Sequence, residues 1–359
     1  MSPESLSYMP PTQDAARYSR GGATIESMGK SLAGRDLLSI ADLAKSEIDE
    51  VLALAVAAKG GADLGVPLRG RDIAMIFQRP SNRTRVSFEV AIHRLGGHPI
   101  ALFNPEVQLG ERESAADISR ILDRYVDGIV ARLVSHADLV TIAEAAKSPV
   151  INALTDAEHP CQVLADCMTV LEALGHLAGA RVTYIGDGNN VCTSWIYAAA
   201  ICGVDLRIVC PPGYEPPRTV MEEGERLGAG SARISVAHEL DDALRDTDII
   251  YTDVWASMGQ EDELERRRAD FSALQVNDSL LARAPRTARV MHCLPAHRGE
   301  EITDSVLDGP QSIVFDQAEN RKWVQMALLA LVYAAPSASG DRDGSAFAQM
   351  EISARPGVA

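Results

Sequence analysis

Ile73-Ala74-Met75-Ile76-Phe77-Gln78-Arg79-Pro80-Ser81-Asn82-Arg83-Thr84-Arg85-Val86-Ser87-Phe88-Glu89 is the stretch on which the reading of this chain turns. Ile73 to Phe77 is a short apolar run of the buried-strand type. Val86, Phe88, Val90, Ala91 and Leu95 suit a helix, which Gly96-Gly97 ends. A strand therefore gives way to a helix near Ser81. Small hydroxyl and amide side chains at such a point cap free backbone N–H groups. A helix N-terminus with two arginines pointing at it also makes a phosphate or carboxylate site. Read alone, the stretch fits a capped helix with solvated arginines as well.

The whole chain narrows the classes open to it. Its 359 residues give room for two domains of ordinary size, and an apolar fraction of 46% supplies real cores. A net charge of −16 and a pI near 4.9 argue against a nucleic-acid surface, although a local basic pocket remains compatible. No apolar run reaches membrane-spanning length. The N-terminus shows no basic-then-apolar signal peptide, so a cytoplasmic protein is expected. Cys161, Cys167, Cys192, Cys202, Cys210 and Cys293 are scattered without a CxxC pair, as expected of reduced thiols.

The order of elements predicts the fold class. Residues 1–28 have no sustained period and read as a flexible extension. From Leu37 to Ala55 the apolar spacing suggests one or two helices. Strands follow at 72–77, Pro99 to Phe103, Gly128 to Arg132 and 149–153, with helices after Ser81, near Asp117 and over 138–147. Glu158-His159-Pro160-Cys161-Gln162 opens a long helix through Leu174, Pro160 suiting its first turn. Past Gly179 a second set of strands begins at Val182, Leu206, Ile234, Ile249, Val290 and Ile313-Val314-Phe315. Residues 320–334 are strongly helical, and 336–359 read as a loose tail. The expectation is an α/β protein of two doubly wound parallel-sheet domains, 29–158 and 159–319, with helix 320–335 returning to the first. In such sheets ligands gather at the C-terminal ends of the strands, where Phe77, Arg132 and Asn152 lie.

The second half carries its own candidates. Gly186-Asp187-Gly188-Asn189-Asn190 links a strand to a helix, but Val191 stands where a dinucleotide motif has its third glycine. The next strand ends at Cys210-Pro211 without an acidic residue, so no nucleotide is expected. Asp253-Val254-Trp255-Ala256-Ser257-Met258-Gly259 places an aspartate after a strand, before small residues fit for a closing loop. Asp253 as a simple helix cap is the plainer alternative. Met291-His292-Cys293-Leu294-Pro295 ends another strand. A buried thiol there is usually inert packing, whereas beside a substrate ammonium it can be polar and partly ionised. His292 and Cys293 lack partners at zinc-ligand spacing, so no metal is expected.

These segments together resemble the aspartate/ornithine carbamoyltransferase family over roughly residues 30–335. Ser81-Asn82-Arg83-Thr84-Arg85 is similar to the family's Ser-Thr-Arg-Thr-Arg carbamoyl-phosphate signature, with Asn82 where the family usually has Thr. Gln108-Leu109-Gly110-Glu111-Arg112-Glu113-Ser114 is similar to a loop that reaches a neighbouring subunit's site. His159-Pro160-Cys161-Gln162, Asp253 with Ser257-Met258-Gly259, His292-Cys293-Leu294-Pro295, and Arg321 near a helix start follow in family order.

The resemblance implies a carbamoyl-phosphate site of Ser81, Asn82, Arg83, Thr84, Gln108, Arg132, His159, Gln162, Cys293, Leu294 and Arg321. It implies an ornithine site of Asn190, Asp253, Ser257 and Met258. Arg132, His159, Asp253, Cys293 and Arg321 would be the catalytic set, with Asp253 and Cys293 helping to remove the amine's proton. The implied reaction moves the carbamoyl group of carbamoyl phosphate to the side-chain amine of L-ornithine, giving L-citrulline and phosphate. It needs no cofactor. A homo-oligomer with shared sites is implied, a trimer or a multiple of trimers. A different acceptor amine, or a binding relative without turnover, are the other readings. Intact Asp253 and Ser257-Met258-Gly259 favour ornithine, and Arg83, His159, Cys293 and Arg321 together favour turnover.

Overall fold

The inner strands of this protein are buried along nearly their whole length, as parallel sheets covered on both faces require. The computed structural model describes residues 32–230, 232–256 and 261–334. The expected extension over 1–28 and the tail over 336–359 lie outside them. The chain enters through helix α1 (Lys45–Lys59) and builds a four-stranded parallel sheet from β1 (Asp72–Phe77), β2 (His98–Phe103), β3 (Gly128–Arg132) and β4 (Val150–Leu154), in the order β2-β1-β3-β4. Helices α2 (Asn82–Arg94), α3 (Ala115–Leu122) and α4 (His136–Ala145) make the crossovers, and α5 (Pro160–Leu174) leads onward. A five-stranded parallel sheet follows: β5 (Arg181–Ile185), β6 (Asp205–Val209), β7 (Ile234–Ala237), β8 (Ile249–Thr252) and β9 (Arg289–His292), in the order β7-β6-β5-β8-β9. Its main helices are α6 (Asn190–Cys202), α7 (Arg218–Gly228) and α8 (Leu264–Phe271). Helix α9 (Val314–Val332) then packs back against α5, α1 and α2.

This topology fixes where a ligand can sit. The strand order reverses between β1 and β3 in the first sheet and between β5 and β8 in the second, and such switch points open a crevice at the strands' C-terminal ends. Phe77 pairs with Arg132 at one, and Ile185 with Thr252 at the other. Helix α5 runs between the two sheets, so Pro160 through Leu171 are all buried. The largest apolar cluster is continuous across both sheets through α5, α6 and α9. The buried polar side chains of α5, Gln162, Asp166 and Thr169, lie at helical spacing, and Gln317 and Asn320 of α9 donate to Asp166 and Thr169.

One expected element differs. Ile313-Val314-Phe315 is not a strand: Ser312 makes an isolated bridge to Val290, and Val314 already starts α9. A three-residue apolar run carries no period to tell strand from helix. Arg321 consequently lies inside α9, not at its start.

Candidate active site

The first switch point gathers cations around a hydroxyl. Ser81 caps α2, its Oγ accepting from Thr84 N–H at 3.4 Å while its hydroxyl donates to Thr84 Oγ1 at 3.1 Å. Thr84 is wholly buried. Arg321 Nη2 donates to its Oγ1 at 2.9 Å and Arg132 Nη1 at 3.4 Å. Arg83 lines the same cavity. Arg85 turns away, pairing with Glu89 at 2.8 Å and lying over the Phe103 ring. Two residues apart on a helix point to opposite sides, so only one of the two motif arginines can face the cleft.

Burial and mutual repulsion set the charges here. Desolvation, then Arg321 and Arg83, bring Arg132 down to about 10. Burial also lowers Arg83 and Arg321. His159 is pushed well below its ordinary range by burial, then by Arg321, Arg132 and Arg83. Its imidazole is therefore neutral while the guanidinium groups stay charged. Its backbone N–H donates to Ser194 Oγ at 2.9 Å. Gln162, a turn further along α5, is buried and donates Nε2 to Asp166 at 2.8 Å.

The second switch point is of opposite character. Asp253 follows β8 and accepts the Cys293 thiol at 2.9 Å and its own neighbour Val254 N–H at 2.8 Å. Burial, then the Asp253 charge, push the Cys293 thiol well above its ordinary range. In this setting the thiol keeps its proton and donates it to a carboxylate; the partly ionised form is expected only beside a substrate ammonium. Asn189, not Asn190, caps α6 and donates Nδ2 to Asp253 at 2.8 Å. Asn190 lines the cavity and gives its amide to Thr155 O at 2.6 Å. Leu294 holds a left-handed backbone (φ 57) just past Cys293, a conformation uncommon for residues other than glycine. Gly188 is explained by packing, since a Cβ there would meet Pro216 N at 2.3 Å.

One cavity of about 830 Å³ joins the two ends. Ser81, Arg83, Arg132, His159, Asn190, Asp253, Cys293, Leu294 and Arg321 all line it. Thr84 and Gln162 lie beneath its wall. Asn82 does not face it: its side chain folds back to accept from Arg83 N–H at 2.7 Å and borders a separate hollow with Val86 and Lys322. Gln108 is exposed in a left-handed turn and does not line the cavity of its own chain. Ser257 and Met258 lie outside the described residues. Asp253, His292 and Cys293 bring ligand atoms within 4.8 Å of one another. Yet His292 is already engaged at both ring nitrogens, by Leu294 N–H at 2.8 Å and Glu301 at 3.0 Å, so the set is closed to an ion.

Glu158 and Asn189 also line the cavity, although neither stands out as a site residue in the sequence. The capping role of Asn189 was readable from its place ahead of Val191. Glu158 had no signal beyond its position beside His159.

Two family profiles match the chain. One, described as the carbamoyl-P binding domain of aspartate/ornithine carbamoyltransferase, covers residues 35–172. The other, the Asp/Orn binding domain of the same family, covers 178–332. The chain belongs to the aspartate/ornithine carbamoyltransferase family. Among named relatives of this carbamoyltransferase, an ornithine carbamoyltransferase of Thermococcus kodakarensis is 48% identical over 306 residues, 84% of this chain and 97% of that protein. An anabolic ornithine carbamoyltransferase of Pyrococcus furiosus is 50% identical over 306 residues, with 84% and 97% covered. The solved ornithine carbamoyltransferase from Pyrococcus furiosus superposes with a TM-score of 0.81 at 49% identity, covering 84% of this chain and 98% of that one. The two profiles part near the end of α5, and the carbamoyltransferase cavity is lined by residues of both matched regions.

Proposed function

We infer that this chain transfers the carbamoyl group of carbamoyl phosphate to the side-chain amine of L-ornithine, giving L-citrulline and phosphate. The observation that carries this is the joining, in one cavity, of half-buried Arg83 and Arg132 and buried Arg321 at one end to the Asp253–Cys293 pair at the other. The named ornithine carbamoyltransferases at 48–50% identity support the choice of acceptor.

In this reading carbamoyl phosphate carries about two negative charges near pH 7, like a phosphate monoester. The start of α2 and Arg83 grip the phosphate, and Arg132 bridges to the carbamoyl oxygen. Arg321, Thr84 and neutral His159 polarise that oxygen, the kind of fixed electrostatic aid that dominates acyl transfer. Gln162 orients the NH2 group. Asp253 and Asn190 receive the amino acid, with Ser257 and Met258 beside them. Ornithine's amine, with a pKa near that of Lys (about 10), attacks only when neutral. The C–N bond forms as the C–O bond to phosphate breaks. Residues 29–158 with the returning helix serve the donor, and 159–319 the acceptor.

We further propose a cytoplasmic homo-oligomer, a trimer or a multiple of trimers. Its support is Gln108, exposed and outside its own chain's cavity, where it is free to complete a neighbour's. The deciding assay measures citrulline from carbamoyl phosphate and ornithine, with putrescine and acylated ornithine as competitors. Preference for either competitor, or no product at all, would overturn the reading.

A further inference from the structure

Three side chains outside the cavity wall, anchored on one backbone N–H, form a chain of fixed polarity. The backbone N–H of His292 can only donate, and it donates to Gln317 Oε1 at 2.8 Å. Gln317 must therefore turn its Nε2 the other way, where it meets Asp166 Oδ1 at 2.8 Å. An ionised carboxylate only accepts, so Gln162 also presents Nε2 to the same oxygen, again at 2.8 Å. Every amide orientation is thus dictated from the β9 backbone outward. Gln162 Oε1 and Asp166 Oδ2 are both buried without a hydrogen-bond partner; the Asp166 carboxylate has Tyr251 beside it.

A buried acceptor left unpaired is costly and marks a place where a donor is missing. Gln162 is 1% exposed and lies one helical turn beyond His159, which lines the cavity. Asp166, a further turn along and 0% exposed, touches no part of the cavity itself. Burial raises its carboxyl to about 6 against the opposing pull of Gln162, Gln317, Tyr251 and Arg321, so it is ionised at neutral pH.

We propose that Asp166 is a positioning residue: it locks the Gln162 amide so that its carbonyl oxygen is left to accept from the donor's NH2 group, making the site selective for carbamoyl over acetyl donors. The proposal deepens the function above and rests on carbamoyl phosphate being the donor. Acetyl phosphate has the same charge and nearly the same shape, with a methyl in place of NH2. It cannot fill the Gln162 acceptor.

The test compares the KM for carbamoyl phosphate with the inhibition constant of acetyl phosphate in the assembled enzyme. The parent should favour carbamoyl phosphate by about tenfold, the scale of one buried hydrogen bond. In Asp166→Ala the gap should close to about twofold, with carbamoyl phosphate weakened and acetyl phosphate unchanged. Asp166→Asn keeps an oxygen for both glutamines and should keep the gap. Equal weakening of both ligands in Asp166→Ala, as general damage would give, overturns the proposal, as does an unchanged gap or a parent without one. Should Asp166→Ala fail to fold, Asp166→Asn decides: a retained gap supports the proposal and a closed gap overturns it. Gln162→Leu separates the two levels. If it closes the gap and Asp166→Ala does not, only the role of Asp166 falls. If it leaves the gap intact, the donor contacts assigned above fall with it.

Discussion

Replacing Glu158 with glutamine should remove a loss of stability that the parent suffers as pH rises. The Glu158 carboxyl is 4% exposed and accepts Ile40 N–H at 3.1 Å and the Ser194 hydroxyl at 3.0 Å. Burial, its largest influence, raises it from 4.5 to about 7, although the bonds from Ser39, Ile40 and Ser194 favour the charge. The unfolded chain has no such burial and ionises near the ordinary value. A folded pKa above the unfolded one gives stability that is fully present below the unfolded value and is lost as pH rises through the folded one. The window is thus about pH 4.5 to somewhat above 7, and the shift corresponds to about 3 kcal/mol. Glutamine stays neutral throughout and keeps one oxygen for Ile40 and Ser194. Urea unfolding at fixed protein concentration, followed by circular dichroism from about pH 5 to about pH 8, measures the difference between variant and parent. That difference should move in the variant's favour by about 3 kcal/mol across the range. Parallel pH curves for the two proteins would show that Glu158 is not held protonated by burial.

Arg83→Lys should leave circular dichroism unchanged and lower kcat/KM for carbamoyl phosphate about 10- to 150-fold, since a lysine cannot fork onto phosphate and a charged hydrogen bond is worth about 1.5–3 kcal/mol; near-parental turnover would remove Arg83 from the donor site. Cys293, the one cysteine of the six that is not fully buried, should alkylate slowly with iodoacetamide near neutral pH. Asp253→Asn should speed that labelling by removing the charge that holds the thiol up, and an unchanged rate by mass spectrometry would refute the assignment. Asn82→Thr should change the carbamoyl-phosphate KM by less than about tenfold and leave acceptor preference alone, because the Asn82 side chain faces a separate hollow. Inactive Gln108 variants mixed with inactive Arg83 variants should regain some citrulline formation through hybrid sites, and a fully active monomer on a sizing column would exclude shared sites.

What the sequence disclosed follows a physical divide. Local features were legible: the apolar run Ile73 to Phe77, the Ser81 cap, Pro160 at a first helical turn, and the alternation that makes two parallel sheets. Each depends on residues a few positions apart. The misreadings involve direction or distance. Arg83 and Arg85 look equivalent in a string, yet the helix sends one to the cleft and the other to Glu89. Ile313 to Phe315 is too short to reveal a period. The state of Cys293 depends on Asp253, 40 positions earlier, and that of Asp166 on Gln317, 151 positions later. No local pattern encodes such encounters; the topology brings them about.

The protonated thiol changes how the amine must lose its proton. A thiol held well above its ordinary range by burial and by Asp253 is a donor, and a donor cannot take a proton from ornithine. Asp253 already receives Cys293 Sγ, Asn189 Nδ2 and Val254 N–H, so its oxygens are engaged and its carboxylate is held as an anchor. Neutral His159, hemmed in by guanidinium groups, resists a second proton for the same reason that it stays neutral. At the cavity's reacting end these groups leave the departing phosphate as the strongest base, because it gains negative charge as the C–O bond breaks. In the proposed reaction the arginines that would bind it would also hold it beside the attacking nitrogen. Proton removal would thereby be tied to leaving-group departure, and in the proposed site the Asp253–Cys293 pair would bind and aim the amino acid whose amine reacts.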